Sequence, residues 1–239
     1  MKHDQWLQEH VSRLGIDLTE HQLEQFQQYY ELLIETNKVM NLTGITDRDE
    51  VYIKHFYDSL TLIAAFDPKK TKSIIDVGTG AGFPGIPLKI AFPDLEVVLL
   101  DSLKKRIHFL QSVVNHLDLS GVTCIHGRAE ELAHQKLYRA SFDLATARAV
   151  AKLNVLAEYC LPFVKVGGMF ISMKGTVMSD EVESAKKALH VMGKATFKQT
   201  TFELPASMGT RSLLQMQKRD HSPKAYPRRA GLPVKQPLV

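Results

Sequence analysis

Over the first third of the chain, apolar residues recur at three- and four-residue intervals. Residues 19–37 place Leu23, Phe26, Tyr30, Leu33 and Ile34 on one stripe, the spacing of an amphipathic helix. Thr19 followed by Gln22 suits a capping box, in which two side chains satisfy amides that a helix start leaves without acceptors. A second helix is predicted to begin near residues 47–50, with Val51, Phe56, Leu60 and Ile63 on its buried side. Between the two, NLTGI at 41–45 has the Asn, Thr and Gly of a turn.

From residue 72 the rhythm becomes strand then helix. SIIDVG, LEVVLLDS, GVTCIHGR, SFDLATAR and GGMFISMKG read as strands, with helices in PGIPLKIAF, LKKRIHFLQSVVNHLDL and KLNVLAEYCLPFV. After a helix around 180–192, ATFKQTTFEL and RSLLQMQKR read as a closing pair of strands. This alternation predicts an α/β fold whose mostly parallel sheet is covered on both faces, the hairpin adding an antiparallel edge. The expected organisation is a helical cap over 1–66, an α/β domain over 67–217 and a tail over 218–239.

The first strand runs into IIDVGTGAGFPGIP at 74–87, which fits two ligand motifs. Gly80, Gly82 and Gly85 fit the G-x-G-x-x-G of dinucleotide-binding proteins. Asp76, Gly78, Gly80 and Gly82 fit D-x-G-x-G-x-G, the first motif of S-adenosylmethionine-dependent methyltransferases. In either case bare backbone lets the ligand approach, and Asp101 at the end of the second strand can accept hydrogen bonds from a ribose diol. Three features favour the second motif. Asp76 would repel a pyrophosphate, yet suits a cationic ligand's ammonium or can order the loop. GRAEEL at 127–132 follows strand three, where methyltransferases hold the adenine edge. A seven-stranded sheet ending in a hairpin matches a methyltransferase better than a dehydrogenase, which usually needs a second domain. A P-loop is a poor alternative, because Ile86 and Pro87 stand where Lys and Ser or Thr are required.

Composition adds the location of charge. The net charge is +4, and residues 218–239 hold six of the 30 Lys and Arg but one of the 26 Asp and Glu. That tail therefore carries the whole positive excess, as a solvated segment or as a partner for a polyanion such as nucleic acid. No apolar run approaches a membrane span, and MKHDQWLQEH lacks the apolar core of a secretory signal, so a cytoplasmic protein is expected. Cys124 and Cys160 fall in core positions, and the ten histidines lack paired ligand spacing, so neither a disulfide scaffold nor a metal is expected.

Methyl transfer is an in-line displacement in which holding the two reacting centres together does most of the work. ATARAV at 145–150 stands where amino-methylating enzymes carry an N-P-P-Y motif, and neither cysteine suits a carbon-5 mechanism. The targets left are already nucleophilic when neutral, guanine N7 among them. Arg148 at a strand end then becomes a candidate to hold guanine O6 or a phosphate, its alternative being a surface arginine at the strand end. Lys174 is a phosphate ligand or a solvated loop lysine; Arg211 orients RNA or edges the hairpin. His55 and Asp58 form a helix-surface pair or line the substrate cleft. An NAD-dependent oxidoreductase and a non-catalytic RNA-binding module remain the rival readings.

Together, NLTGI (41–45), KHFYDSL (54–60), DVGTGAGFPGIPL (76–88), LLDSLKKRIHFL (99–110), GRAEE (127–131), ARAVA (147–151), MKG (173–175) and YPRRAGLPVKQPL (226–238) closely resemble one family. It is the bacterial ribosomal RNA small-subunit methyltransferase G family, also called glucose-inhibited division protein B. The resemblance implies a Rossmann-like class I methyltransferase fold: a seven-stranded, mostly parallel sheet, its last strand antiparallel, beside a helical cap. It also implies N7-methylation of one guanine in the decoding-region loop of 16S rRNA, with S-adenosylmethionine as donor. Loss of such an enzyme is expected to alter sensitivity to streptomycin. The family's cofactor positions map to Gly78, Phe83, Ala129, Glu130 and Arg148, joining Asp76, Gly80 and Asp101. Arg128, Lys174, Arg211, Tyr226, Arg228 and Arg229 are the RNA-binding candidates, the last three combining an aromatic ring with cations. The Pro-rich tail is expected to be extended and partly mobile without RNA, and a flipped-out guanine is expected under the helical cap. The partner is 16S rRNA, in the 30S subunit or an assembly intermediate, and a monomer is expected.

Overall fold

The computed structural model describes residues 2–148, 151–177 and 179–239; Ala149 and Val150 of the ARAVA motif lie outside the described residues. The N-terminal third is helical, as its pattern predicts. Helix α1 spans His3–Ser12 and α2 spans Glu20–Met40, with the capping box formed: Gln22 N donates to Thr19 Oγ1 and Thr19 N to Gln22 Oε1. The buried face of α2 is Gln22, Gln25, Phe26, Tyr29 and Leu33, so its centre is rotated from the predicted stripe. Tyr30 and Leu23 are only half-buried. The next helix starts as α3 (Arg48–Val51), widens into a π-helical stretch (Tyr52–Tyr57) and resumes as α4 (Asp58–Leu60). Val51, Phe56 and Leu60 are buried as the repeat predicts, but the helix tightens into a 3-10 turn at Thr61–Ala64, where Leu62 is buried in place of Ile63.

The described residues form a seven-stranded sheet in the order β3-β2-β1-β4-β5-β7-β6. Its strands are β1 (Ser73–Val77), β2 (Glu96–Asp101), β3 (Val122–His126), β4 (Phe142–Arg148), β5 (Val164–Lys174), β6 (Thr196–Glu203) and β7 (Thr210–Gln217). The first five pair in parallel; β7 runs antiparallel to both β5 and β6. The hairpin thus closes the sheet with its second strand inside. Burial explains the order: Ser212–Met216 of β7 is a continuous buried run, while β6 has no fully buried residue and takes the edge.

Helices α5 (Gly85–Ala91), α6 (Lys104–His116), α7 (Ala129–Leu132), α8 (Leu153–Cys160) and α9 (Ser179–Val191) complete the layers. One apolar core joins the cap to α5, α6 and one sheet face, through Leu7, Phe26, Phe56, Ile86 and Leu110. The other lies under α8 and α9, through Leu156, Ala185 and Phe170. Gln22 and Gln25 tie α2 to the sheet side, donating to Ile90 O and Leu117 O at 2.7 Å each.

The tail corrects an expectation. Rather than extended and mobile, it packs along the protein and ends in a short helix, α10 (Leu232–Lys235). Arg139 donates to Ser222 O, Pro223 O and Tyr226 O, and the backbone N and guanidinium of Arg228 both bond to buried Glu158. A Pro-rich composition predicts extension only where nothing offers the backbone partners, and here a buried carboxylate and an arginine do.

Candidate active site

Strand order reverses between β1 and β4, so the loops after these neighbours part and leave a crevice at the strands' C-terminal ends. Asp76, Asp101, Arg148 and Lys174 all lie at or next to such ends.

Asp76 is fully buried under the glycine loop. Its Oδ2 accepts from Thr79 Oγ1 at 2.7 Å and from Gly85 N at 2.9 Å, while Oδ1 has no partner among the described residues. Burial pushes its pKa up to about 6 despite those two hydrogen bonds. Of the two roles its position allowed, these contacts support ordering the loop. Two glycines serve packing as well. A Cβ on Gly82, where φ is +104°, would sit 2.7 Å from both Ile86 Cδ1 and Tyr29 Oη. One on Gly85 would meet Leu99 Cδ2 at 2.4 Å, so only glycine lets α5 lie this close to β2.

Above the loop is a cavity of about 440 Å³, lined by Gly78, Gly80, Phe83, Asp101, Arg106 and Arg148 and roofed by Leu42, Thr43 and His55 from the cap. Asp101 Oδ2 accepts from Gly80 N at 3.0 Å and Arg106 Nη1 at 3.2 Å, and Oδ1 from Leu103 N at 2.9 Å. Each carboxylate oxygen has two acceptor sites, so Oδ1 retains one for a ligand hydroxyl. From Gly78 and Asp101 a smaller extension, about 120 Å³, reaches Arg128, Ala129 and Glu130. Glu130 Oε1 also accepts from Gly231 N at 2.9 Å, bringing the tail to the rim.

Phe83 lies at the centre of a stack. The His55 ring stacks on it with centroids 4.5 Å apart and planes inclined by 26°, and Arg148 Cζ stands 4.9 Å from its centroid. Tyr29 packs at 5.3 Å and donates its hydroxyl to Ala81 O. His55 Nε2 is 2.9 Å from Thr43 Oγ1, which joins the NLTGI turn to the KHFYDSL helix. Burial, then the Arg148 charge, lowers the His55 pKa to about 3. The ring is neutral at pH 7.

His55 and Arg148 also border a second cavity, about 370 Å³, lined by Asp58, Met173, Lys174, Gly175 and Arg211. Arg148 is no surface arginine: its side chain is 16% exposed, donates to Lys54 O at 3.2 Å and lies 3.5 Å from Asp58 Oδ2. Arg211 Nε donates to the same oxygen at 3.2 Å. Burial raises the Asp58 pKa, opposed by the two arginines. His55 and Asp58 are both buried and meet through Arg148, so they are not a helix-surface pair. Lys174 pairs with Glu181 and donates to Ala151 O at 3.0 Å, which removes it from the solvated-loop alternative.

The structure therefore gathers Gly78, Gly80, Phe83, Asp101 and Arg148 on one cavity, Ala129, Glu130 and Arg128 on its extension, and Lys174 and Arg211 on the second cavity. It leaves Tyr226, Arg228 and Arg229 apart from all three linings. Arg228 is held by Glu158 with Nη2–Oε2 at 2.7 Å, whereas Arg229 is exposed. Sequence reasoning missed Tyr29, Thr43 and Arg106. Tyr29 was detectable as the residue three past Phe26 and four before Leu33.

Solved methyltransferases share the fold. A putative O-methyltransferase from Klebsiella pneumoniae superimposes with a TM-score of 0.54 at 14% identity, covering 80% of this chain and 90% of that one. An S-adenosylmethionine-dependent methyltransferase from Aquifex aeolicus gives 0.53 at 16% identity, over 74% and 96%. Fold and crevice together place the chain in the class with the Rossmann-like methyltransferase fold. Within that class, the chain belongs to the rRNA small subunit methyltransferase G (GidB) family, whose model matches residues 22–208. The ribosomal RNA small subunit methyltransferase G of Brevibacillus brevis is 51% identical over 225 residues, 94% of each chain. That of Leuconostoc mesenteroides is 51% identical over 234 residues, 96% of this chain and 97% of its own.

Proposed function

We propose that this chain transfers a methyl group from S-adenosylmethionine to N7 of a guanine in the decoding-region loop of 16S rRNA, acting as a cytoplasmic monomer on the 30S subunit or its precursor. The observation that carries this reading is the pair of cavities sharing His55 and Arg148, whose lining among the described residues holds one histidine, no cysteine, and two aspartates each already bonded to an arginine. His55, with its pKa near 3, is a weak base. Asp58 is held by two arginines, and burial pushes the Cys124 thiol up to about 11 and raises that of Cys160. A site whose histidine is a weak base and whose carboxylates are paired with arginines suits a nucleophile that needs no base, and guanine N7 is one.

The residues present fit the methyl donor. Asp101 would take its ribose hydroxyls, the backbone from Gly78 to Gly80 its amino-acid end, and Ala129 and Glu130 its adenine edge. When bound, S-adenosylmethionine supplies a methyl group activated on a sulfonium. Phe83, braced by Tyr29 and His55, shapes the wall between donor and acceptor and excludes water. Arg148 would hold the acceptor base through a hydrogen-bonding fork, aligning the two centres.

Two measurements test this. Purified protein incubated with methyl-labelled S-adenosylmethionine and undermethylated 30S subunits should put label into 7-methylguanosine of 16S rRNA. Label in another nucleoside, or none with 30S subunits or deproteinised 16S rRNA, would refute the reading. Asp101→Ala should weaken S-adenosylmethionine binding at least tenfold by calorimetry, about 1.4 kcal/mol; unchanged affinity would remove Asp101 from the site.

A further inference from the structure

We propose that Asp58 selects guanine, accepting hydrogen bonds from the N1–H and exocyclic N2–H of a base seated in the second cavity. The inference rests on the guanine-N7 reading and adds to it the group that tells guanine from adenine.

Asp58 borders the second cavity, yet the residue is only 2% exposed. Arg148 and Arg211 hold Oδ2, while Oδ1 is buried without a hydrogen-bond partner among the described residues. A buried acceptor without a donor is costly, and a ligand N–H relieves that cost. Order along the wall matters as much. Arg148, a pure donor, lies 3.5 Å from Asp58, an acceptor when ionised. Guanine presents the complementary sequence: the O6 acceptor, then the N1–H donor, then the N2–H donor. Adenine presents the reverse, an N6–H donor beside the N1 acceptor. It would set donor against guanidinium and lone pair against carboxylate. One pair of side chains thus attracts one purine and repels the other.

The placement also serves the reaction. O6 and N7 share the Hoogsteen edge, so a base held at O6 by Arg148 turns N7 toward the wall shared with the first cavity. As the N7–C bond forms and the S–C bond breaks, the electron pair stays on sulfur and the positive charge passes to the purine. No proton leaves. The charged purine is a stronger N1–H donor than the neutral one, so the bond to Asp58 tightens as transfer proceeds.

The test compares rRNA substrates carrying guanosine or inosine at the target position. Inosine keeps O6, N1–H and N7 but lacks the N2 amino group. Wild-type protein should lose tenfold or more in kcat/KM on inosine. Asp58→Asn should lose at least tenfold on guanosine, and its guanosine-to-inosine ratio should fall to within about threefold. Calorimetric S-adenosylmethionine affinity within threefold of wild type would report an intact fold in that variant. Equal wild-type rates on both substrates would overturn the role of Asp58, as would a variant that keeps the full preference. The inosine comparison uses wild-type protein, so it decides alone if the variant does not fold. Label recovered in a nucleoside other than 7-methylguanosine from the guanosine substrate would instead overturn the reading beneath it.

Discussion

His55 reports on the site through its charge state. Its pKa is about 3 in the folded protein against an ordinary 6.5, so the unfolded chain binds the proton first as pH falls. The resulting stability is fully present above pH 6.5 and is lost as pH drops toward 3. Asp76 works in the opposite direction, because its raised pKa lets the folded protein gain the proton first between about 3.8 and 6. Replacing only the histidine separates the two. Between pH 7.5 and 5, wild type should lose up to about 2 kcal/mol that His55→Gln retains, measured by urea unfolding. Parallel pH profiles would place a charged histidine in the site. At this scale the sequence was readable where chemistry follows from local spacing: Asp101 after a strand, Gly80 in its motif, Arg148 at a strand end. It was silent on the Asp58–Arg211 contact, whose partners stand 153 positions apart, because only the finished sheet brings them together.

Among the elements, helices and strands were legible from their periods, and the departures have local causes. The 3-10 turn at Thr61–Ala64 moved the last buried position of its helix from Ile63 to Leu62, and the two adjacent tyrosines of α2 left its register ambiguous, which the packing of Tyr29 on Phe83 resolves. The antiparallel strand moved inside because β7 is the more buried of the pair. Helix α1, in a stretch without family motifs, buries Leu7 and Val11 completely in the same core as α5 and α6. We propose that the cap and the α/β domain therefore unfold together. Leu7→Ala should cost about 2–5 kcal/mol in a single denaturant transition monitored by far-UV circular dichroism. Two separated transitions would instead make the cap an independent unit. Gly85→Ala should cost about 1–3 kcal/mol by overpacking against Leu99.

For the whole molecule, the net charge of +4 and the tail's packing have to be considered together. The tail that carries the positive excess is anchored by its cations, with Arg228 neutralising a Glu158 side chain that is 1% exposed. Truncating one member of such a pair leaves a buried charge alone. Arg228→Ala should therefore cost roughly 3–5 kcal/mol and open residues 219–239 to limited proteolysis. A tail that resists protease as well as in wild type would count against the latch. Arg219, Lys224, Arg229 and Lys235 are exposed, and we propose that they are the tail cations open to a polyanion.

The anchoring at Glu130 and Glu158 also has a consequence for how the protein comes into being. Gly231, whose amide covers Glu130 at the rim of the smaller cavity, comes after β7 in the chain. A ribosome finishes β7 at Gln217 before it has made any of the tail, so the nascent sheet carries every strand-end residue of the site. What that growing chain lacks is the cover for Glu130 and the partner for Glu158. Completion of that rim is thus deferred until after the sheet has been made, and a message cut short after β7 yields a product with all seven strands and with Glu130 and Glu158 left without these partners.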